Sequence, residues 1–209
     1  MPKISASPKY WQDSKTYLSE QDSKLATIIA NYSGEMLQSK GSSFFSLARA
    51  IVGQQISVKA ADSVWKKFEC ELGGEVTAQN INQALPENLR KCGLSGQKVL
   101  YLNELATFFI ANPKIDWHQK TDDEVIKLLT SIKGIGKWSA QMFLMFHLLR
   151  PDILPLADIG LQKAIEKTYN NGNKLTIKEM SQIAEQWQPY RTVATWYLWR
   201  SLDPLPVEY

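Results

Sequence analysis

Apolar residues recur at helical spacing along most of this 209-residue chain, whereas the alternation typical of β-strands is almost absent. The pattern predicts an all-α fold, with a Ser- and Gly-rich loop over residues 33–43. Ser57 and Thr176 are predicted helix N-caps. Lys98, near a helix start, is predicted to be exposed, with a phosphate contact as the alternative. Short helices and turns are predicted over residues 73–94, and the apolar positions of the longer predicted helices lie within residues 10–18, 22–29, 44–52, 60–68, 99–109, 125–132, 138–146, 159–169, 177–187 and 193–199.

The sequence Lys133-Gly134-Ile135-Gly136 interrupts two of these helical patterns. Glycine tolerates positive φ and lets another backbone approach closely, so a tight turn between two helices is predicted. The N–H groups of Gly134, Gly136 and Lys137 then lie at the start of the second helix, where an anion is favoured. Lys133 and Lys137 add positive charge. The turn is a candidate phosphate site, although G-I-G alone is equally typical of an ordinary helical hairpin.

A Pro-rich connector follows this second helix. Pro151 and Pro155 end the helix and stiffen the chain. Asp158 then stands directly before the next helical segment. An aspartate in this place is a common N-cap, and for a lone aspartate that role would be the preferred interpretation.

The string from Leu128 to Ala140, L-L-T-S-I-K-G-I-G-K-W-S-A, resembles the helix-hairpin-helix motif of DNA repair proteins. Asp158 follows it at the spacing that the helix-hairpin-helix DNA glycosylases have for their essential aspartate. Within that superfamily the chain is most similar to the alkylpurine branch, 3-methyladenine DNA glycosylase II. The resemblance covers about residues 44–202.

The resemblance implies a two-lobed fold without the N-terminal β-rich domain of longer relatives. We expect residues 1–209 to form a single glycosylase unit. One lobe holds about residues 43–150 with the hairpin, and the other joins about residues 1–42 to 151–209. The flipped base is expected in the cleft between the lobes.

The resemblance also implies the chemistry. Asp158 would be the catalytic carboxylate that stabilises positive charge on the deoxyribose and orients the attacking water. Trp138 stands where bifunctional relatives have a Schiff-base lysine, which predicts a monofunctional glycosylase. Trp138, Met142 and Trp199 are predicted substrate-binding residues, because aromatic faces stack well on cationic alkylated purines. Core packing is the competing interpretation for all three.

The string A-I-V-G-Q-Q-I-S resembles the loop from which these glycosylases insert a side chain into the duplex. By position the inserted wedge would be Gln55. Gln54, Gln55, the two glycines of the hairpin and its two lysines are therefore the predicted DNA-binding residues. The backbone carbonyls of Thr130, Ile132 and Ile135 match a monovalent cation site of the family, for Na⁺ or K⁺.

The composition of the chain restricts its possible cofactors and partners. A hydrophobic content of 44% supports a proper core, and the net charge of +3 is mild, with its excess between residues 86 and 150. Cys70 and Cys92 are the only cysteines, so a four-cysteine iron–sulfur cluster is excluded. We expect no required cofactor, a monomer, and a cytoplasmic location in a bacterium or a nuclear one in a eukaryote. The expected partner is duplex DNA with alkylated bases, not a membrane.

Two other functions compete with alkylpurine excision. The first is a glycosylase for oxidised or mismatched bases, against which Trp138 and the missing cluster cysteines argue. The second is a helix-hairpin-helix module that binds the DNA backbone without chemistry. Such a module would tolerate Asp158→Asn without loss of function.

Overall fold

The computed structural model describes residues 8–32, 34, 36–39 and 41–203. Over these residues the chain contains no β-strand, so the all-α prediction is confirmed. A π-helical turn spans Phe143–His147, and a 3₁₀ turn spans Ala184–Trp187. The α-helices are α1 (Trp11–Gln21), α2 (Ser23–Asn31), α3 (Ser43–Gly53), α4 (Val58–Glu71), α5 (Ala78–Gln83), α6 (Pro86–Lys91), α7 (Gly96–Ala111), α8 (Asp122–Thr130), α9 (Lys137–Met142), α10 (Ile159–Tyr169), α11 (Ile177–Ile183) and α12 (Arg191–Arg200).

Side-chain caps set many of the helix starts. The Ser57 hydroxyl accepts a hydrogen bond from the N–H of Ala60 at 3.3 Å, so its predicted capping role is confirmed. Thr176 caps α11 in a reciprocal capping box, also as predicted. Each such cap stabilises its helix by about 1 kcal/mol, because it satisfies a backbone donor that has no partner within the helix.

The chain divides into two compact units. Among the described residues, unit 1 contains residues 41–143, and unit 2 combines residues 8–39 with 144–203. The sequence interpretation placed the divisions at about 42/43 and 150/151.

Unit 1 is built around α7. Helices α3 and α5 pack against it, and α8 packs against α9. Leu102, Leu105 and Ala106 of α7 are fully buried. Phe44 of α3 meets Phe109 of α7 edge-on, with ring centroids 5.4 Å apart. These contacts form the apolar core of unit 1.

Unit 2 is built around α12, in which every residue from Thr192 to Arg200 is buried. Helices α1, α2 and α10 pack against it. Trp11 of α1 meets Trp196 of α12 edge-on at 5.3 Å between centroids. The N-terminal helices therefore complete the core of the C-terminal segment.

The predicted single helix over residues 138–146 is wrong in its second half. The chain is α-helical only to Met142 and then forms the π-helical turn. Leu149 follows with a φ of +54°, and its carbonyl accepts a hydrogen bond from the Tyr10 hydroxyl at 2.6 Å. The regular helix therefore ends before Pro151 is reached. No helix in the described part of the chain has the length and apolarity to span a bilayer.

Candidate functional site

The hairpin of unit 1 has the predicted tight turn. Gly134 has a φ of +96°, which is the left-handed conformation that favours glycine. The N–H of Ile135 donates to the carbonyl of Ile132 at 3.1 Å and closes the turn. Gly136 is the N-cap of α9 and leaves the start of that helix without a side-chain cap. Lys133 and Lys137 are exposed on either side of it.

Tyr101 of α7 lies directly under this turn. A Cβ atom added to Gly134 would come within 2.2 Å of the Tyr101 ring. The phenol is held in turn by a hydrogen bond from the Gln97 amide. Gly134 is therefore required both by its backbone conformation and by the ring beneath it. The sequence carries no signal for Tyr101, because its contact depends on how α7 packs.

The predicted wedge loop follows α3 in the same unit. Gln55 is exposed and has a φ of +59°, an uncommon conformation for a residue with a side chain. The Gln54 amide donates to the carbonyl of Gly134 at 3.0 Å, so the structure ties this loop to the hairpin turn. This gives Gln54 an internal contact, and its contact with DNA stays a prediction.

Lys98 of α7 forms a hydrogen bond with the end of α3, directly before this loop. Its ammonium donates to the carbonyl of Val52 at 2.8 Å. The side chain is half-buried, so the prediction of an exposed lysine is wrong. Burial lowers the pKa of Lys98 below its ordinary value of 10.5, because the charged form loses solvation. Sequence reasoning missed Lys98 because a lysine near a helix start is normally exposed.

Asp158 lies in unit 2 as the N-cap of α10. Its Oδ1 accepts hydrogen bonds from the N–H of Leu161 at 2.7 Å and from the indole Nε1 of Trp199 at 2.9 Å. The competing interpretation, that this aspartate is only a helix cap, therefore accounts for the contact with Leu161 but not for the one with Trp199. Trp199 stacks on Phe146, with centroids 6.1 Å apart and planes 14° apart. The backbone N–H of Leu161 and the indole of Trp199 thus both bind Oδ1 of the carboxylate, and stacking on Phe146 fixes the indole.

The predicted substrate-binding residues differ in exposure. Trp138, the second residue of α9, is half-buried in unit 1. Met142 is only 2% exposed, which is typical of a core residue, and Trp199 is 8% exposed. The structure brings Trp199 to Asp158, and it brings Gln54 to the hairpin.

The carbonyl groups predicted to bind a cation lie at the end of α8. Thr130 is its last residue, so its carbonyl has no partner four residues on in the same helix. The Ile132 carbonyl accepts one hydrogen bond and keeps a second lone pair. Ile135 is the residue before the N-cap of α9. Carbonyl groups at a helix C-terminus attract positive charge, which suits a cation at Thr130, and an alkali ion bound by all three carbonyls stays a prediction.

A protein-family comparison matches residues 48–189, which contain the wedge loop, the hairpin and Asp158, to the HhH-GPD superfamily of base excision DNA repair proteins. The chain belongs to this superfamily. The DNA-3-methyladenine glycosylase 1 of Schizosaccharomyces pombe is 30% identical over 189 residues, which cover 88% of this chain and 83% of that protein.

Two solved structures of the superfamily are also similar. The crystal structure of the Bacillus halodurans DNA-3-methyladenine glycosidase has a TM-score of 0.80 and 33% identity, covering 96% of this chain and 93% of its own. The S. pombe 3-methyladenine DNA glycosylase in complex with abasic DNA has a TM-score of 0.77 and 26% identity, covering 90% of this chain and 96% of its own.

Proposed function

We propose that this HhH-GPD protein is a monofunctional DNA glycosylase that excises alkylated purines of the 3-methyladenine and 7-methylguanine type. The reaction would be hydrolysis of the N-glycosidic bond, as the first step of base excision repair. The Asp158 carboxylate carries this assignment, because two donors fix it at the place where the superfamily has its essential aspartate. The names of the similar proteins support the substrate class.

Base excision requires that the target nucleotide first leave the stack. Breaking the C–N bond then develops positive charge on the deoxyribose. A carboxylate held in place beforehand stabilises this charge without having to reorient, and it also orients or deprotonates the attacking water. We assign both roles to Asp158. Alkylated purines that carry a positive charge are already good leaving groups, so no strong general acid is needed.

The hairpin and the wedge loop would supply the grip on DNA. The amides at the start of α9 and the charges of Lys133 and Lys137 suit a phosphate group. Gln55 is the proposed wedge, because it is exposed at the loop tip and held in a left-handed conformation. Such a conformation costs of order 1–3 kcal/mol and is concentrated at functional sites. An alkali ion on the carbonyls of Thr130, Ile132 and Ile135 would link the turn to the same phosphate.

Monofunctional chemistry follows from the side chain that stands just after the hairpin. Bifunctional members use a lysine there as the nucleophile on the sugar, and this chain has Trp138. Lys137 is one residue away, and one residue turns a helical side chain by about 100°. Without an amine in the correct direction, water is the nucleophile, and the abasic strand stays intact.

The test is base release from a methylated DNA duplex, with the wild type beside Asp158→Asn. Free 3-methyladenine and 7-methylguanine are resolved, and the strand is checked for breaks before alkali treatment. We expect release by the wild type, intact abasic strands, and a rate about 10²–10³-fold lower for Asp158→Asn, because a fixed charge at the transition state is lost. Thermal unfolding of both proteins controls for folding.

Three outcomes would contradict this proposal. Strand breaks before alkali treatment would contradict monofunctional chemistry. Equal release by both proteins would mean that Asp158 is not the catalytic carboxylate. No release by either protein, with tight duplex binding, would favour an oxidised-base substrate or a binding module without chemistry.

A further inference from the structure

Gly160 of α10 lies against the hydrogen bond between Asp158 and Trp199. A Cβ atom added to it would come within 3.0 Å of the Asp158 Oδ1 and 3.4 Å of the Trp199 Nε1. These are the two atoms that form the 2.9 Å hydrogen bond. Any side chain at position 160 therefore intrudes on this one contact.

The backbone of Gly160 gives no other reason for glycine. Its φ lies outside the left-handed range that side chains avoid, and it is the second residue of a regular helix. Glycine is a poor helix former, and alanine in its place would favour helix formation. Glycine at position 160 thus disfavours the helical conformation of α10, and only the nearby atoms of Asp158 and Trp199 explain why a side chain is absent there.

We propose that Gly160 is a positioning residue for catalysis: the absence of a side chain lets the Trp199 indole reach Asp158 and sets the direction of the carboxylate. The inference rests on the proposed function, in which Asp158 stabilises charge on the sugar. When a methyl group is added at position 160, we expect the Asp158 carboxylate to move and the Trp199 indole to stay in place. Trp199 is 8% exposed and stacked on Phe146, whereas the carboxylate rotates about a single bond. A small rotation matters because electrostatic stabilisation depends on prior alignment.

The decisive variant is Gly160→Ala, which adds only the methyl group. Its matched control is Gly96→Ala at the first residue of α7, where no heavy atom of the described chain lies within 4 Å of the added Cβ. Single-turnover base release is measured on methylated duplex over a range of protein concentrations. For Gly160→Ala we expect the limiting rate to fall about tenfold or more, the half-saturating concentration to stay within about twofold, and the unfolding midpoint not to fall. Gly96→Ala should keep the wild-type rate.

A second experiment uses Trp199→Phe, which removes the indole donor. Because the indole contact is already lost in Trp199→Phe, adding Gly160→Ala should slow that variant less than it slows the wild type. In ¹⁵N-tryptophan-labelled protein, the Nε1–H signal of Trp199 is identified by its loss in Trp199→Phe. That signal should shift and exchange faster with solvent in Gly160→Ala, and it should be unchanged in Gly96→Ala. This readout needs no activity, so it tests the geometry even if the proposed substrate is wrong.

A wild-type rate together with an unshifted Trp199 signal in Gly160→Ala would overturn the inference. A rate loss matched by an equal loss of DNA affinity and a lower unfolding midpoint would also overturn it, because the glycine would then be structural. Failure of the proposed function is recognised separately, since the wild type itself would release no alkylated base.

Discussion

At the scale of single residues, Asp22 is a buried carboxylate that accepts hydrogen bonds from several parts of unit 2. Its side chain is buried, and Oδ1 caps α2 by accepting from the N–H groups of Lys24 and Leu25. Its Oδ2 accepts from the Tyr169 hydroxyl at 2.6 Å and from the Trp187 indole at 3.0 Å. One carboxylate therefore links the N-terminal helices to the C-terminal part of the same unit.

Asp22→Ala should lower the free energy of unfolding by about 4 kcal/mol. The change removes a helix cap, worth about 1 kcal/mol, and takes the acceptor from the buried Trp187 indole and the half-buried Tyr169 hydroxyl, at about 1–3 kcal/mol each. Urea unfolding checks this value. Asp13→Ala in the first turn of α1 is the matched control, because Asp13 is exposed, and its effect should stay below about 1 kcal/mol. Equal effects of the two substitutions would contradict the role of Asp22.

The same contact predicts a pH dependence. Burial raises the pKa of Tyr169 above its ordinary value of 10.0, and the hydrogen bond to Asp22 raises it further. The folded state therefore favours the neutral phenol. The stability that depends on it is complete below pH 10 and is lost as pH rises, because the unfolded chain ionises first. Urea unfolding between pH 8 and 11 should show this loss in the wild type and a smaller one in Tyr169→Phe.

At the scale of elements, α7 supports both parts of the proposed DNA interface. Tyr101 lies under the hairpin turn, and Lys98 binds the carbonyl at the end of α3. The Gln54 side-chain amide joins the wedge loop to the hairpin by donating to the carbonyl of Gly134. The wedge loop and the hairpin are therefore both held to one helix.

Lys98→Met keeps the apolar stem but removes the donor to Val52. We expect the loop to lose its fixed position and base flipping to fall about fivefold or more, since one hydrogen bond from a charged group is worth about 1.5–3 kcal/mol. Flipping is measured by 2-aminopurine fluorescence beside the lesion. The exposed Lys127→Met on α8 is the control and should behave as the wild type. Unchanged fluorescence in Lys98→Met would contradict a supporting role for Lys98.

The sequence predicts elements whose causes are local. The caps at Ser57 and Thr176 and the turn at Gly134 depend on neighbouring residues, and the structure has all three. The burial of Lys98 depends on its contact with Val52, a partner far along the chain that periodicity does not record. For the same reason the resemblance singles out Asp158 and Trp199, whereas their hydrogen bond and the space at Gly160 require the folded unit.

At the scale of the whole molecule, the net charge of +3 is too small for a polycationic surface. A protein of this kind binds DNA through a few placed charges, so its affinity should depend on salt with a slope set by those contacts. The hairpin presents two exposed lysines, Lys133 and Lys137, beside uncapped amides. These two side chains should account for a definite part of the slope.

Lys133→Gln/Lys137→Gln should reduce the slope of log Kd against log salt concentration by about 2, because each phosphate contact contributes about 0.9. Duplex affinity should fall, while the single-turnover rate at saturating protein stays near the wild-type rate, since neither lysine is assigned to the chemistry. The matched control is Lys66→Gln/Lys67→Gln, which removes the same charge from the exposed side of α4. If both pairs change the slope equally, the effect comes from net charge and not from the hairpin. If only the hairpin pair changes the slope, the result supports a DNA phosphate bound at the start of α9.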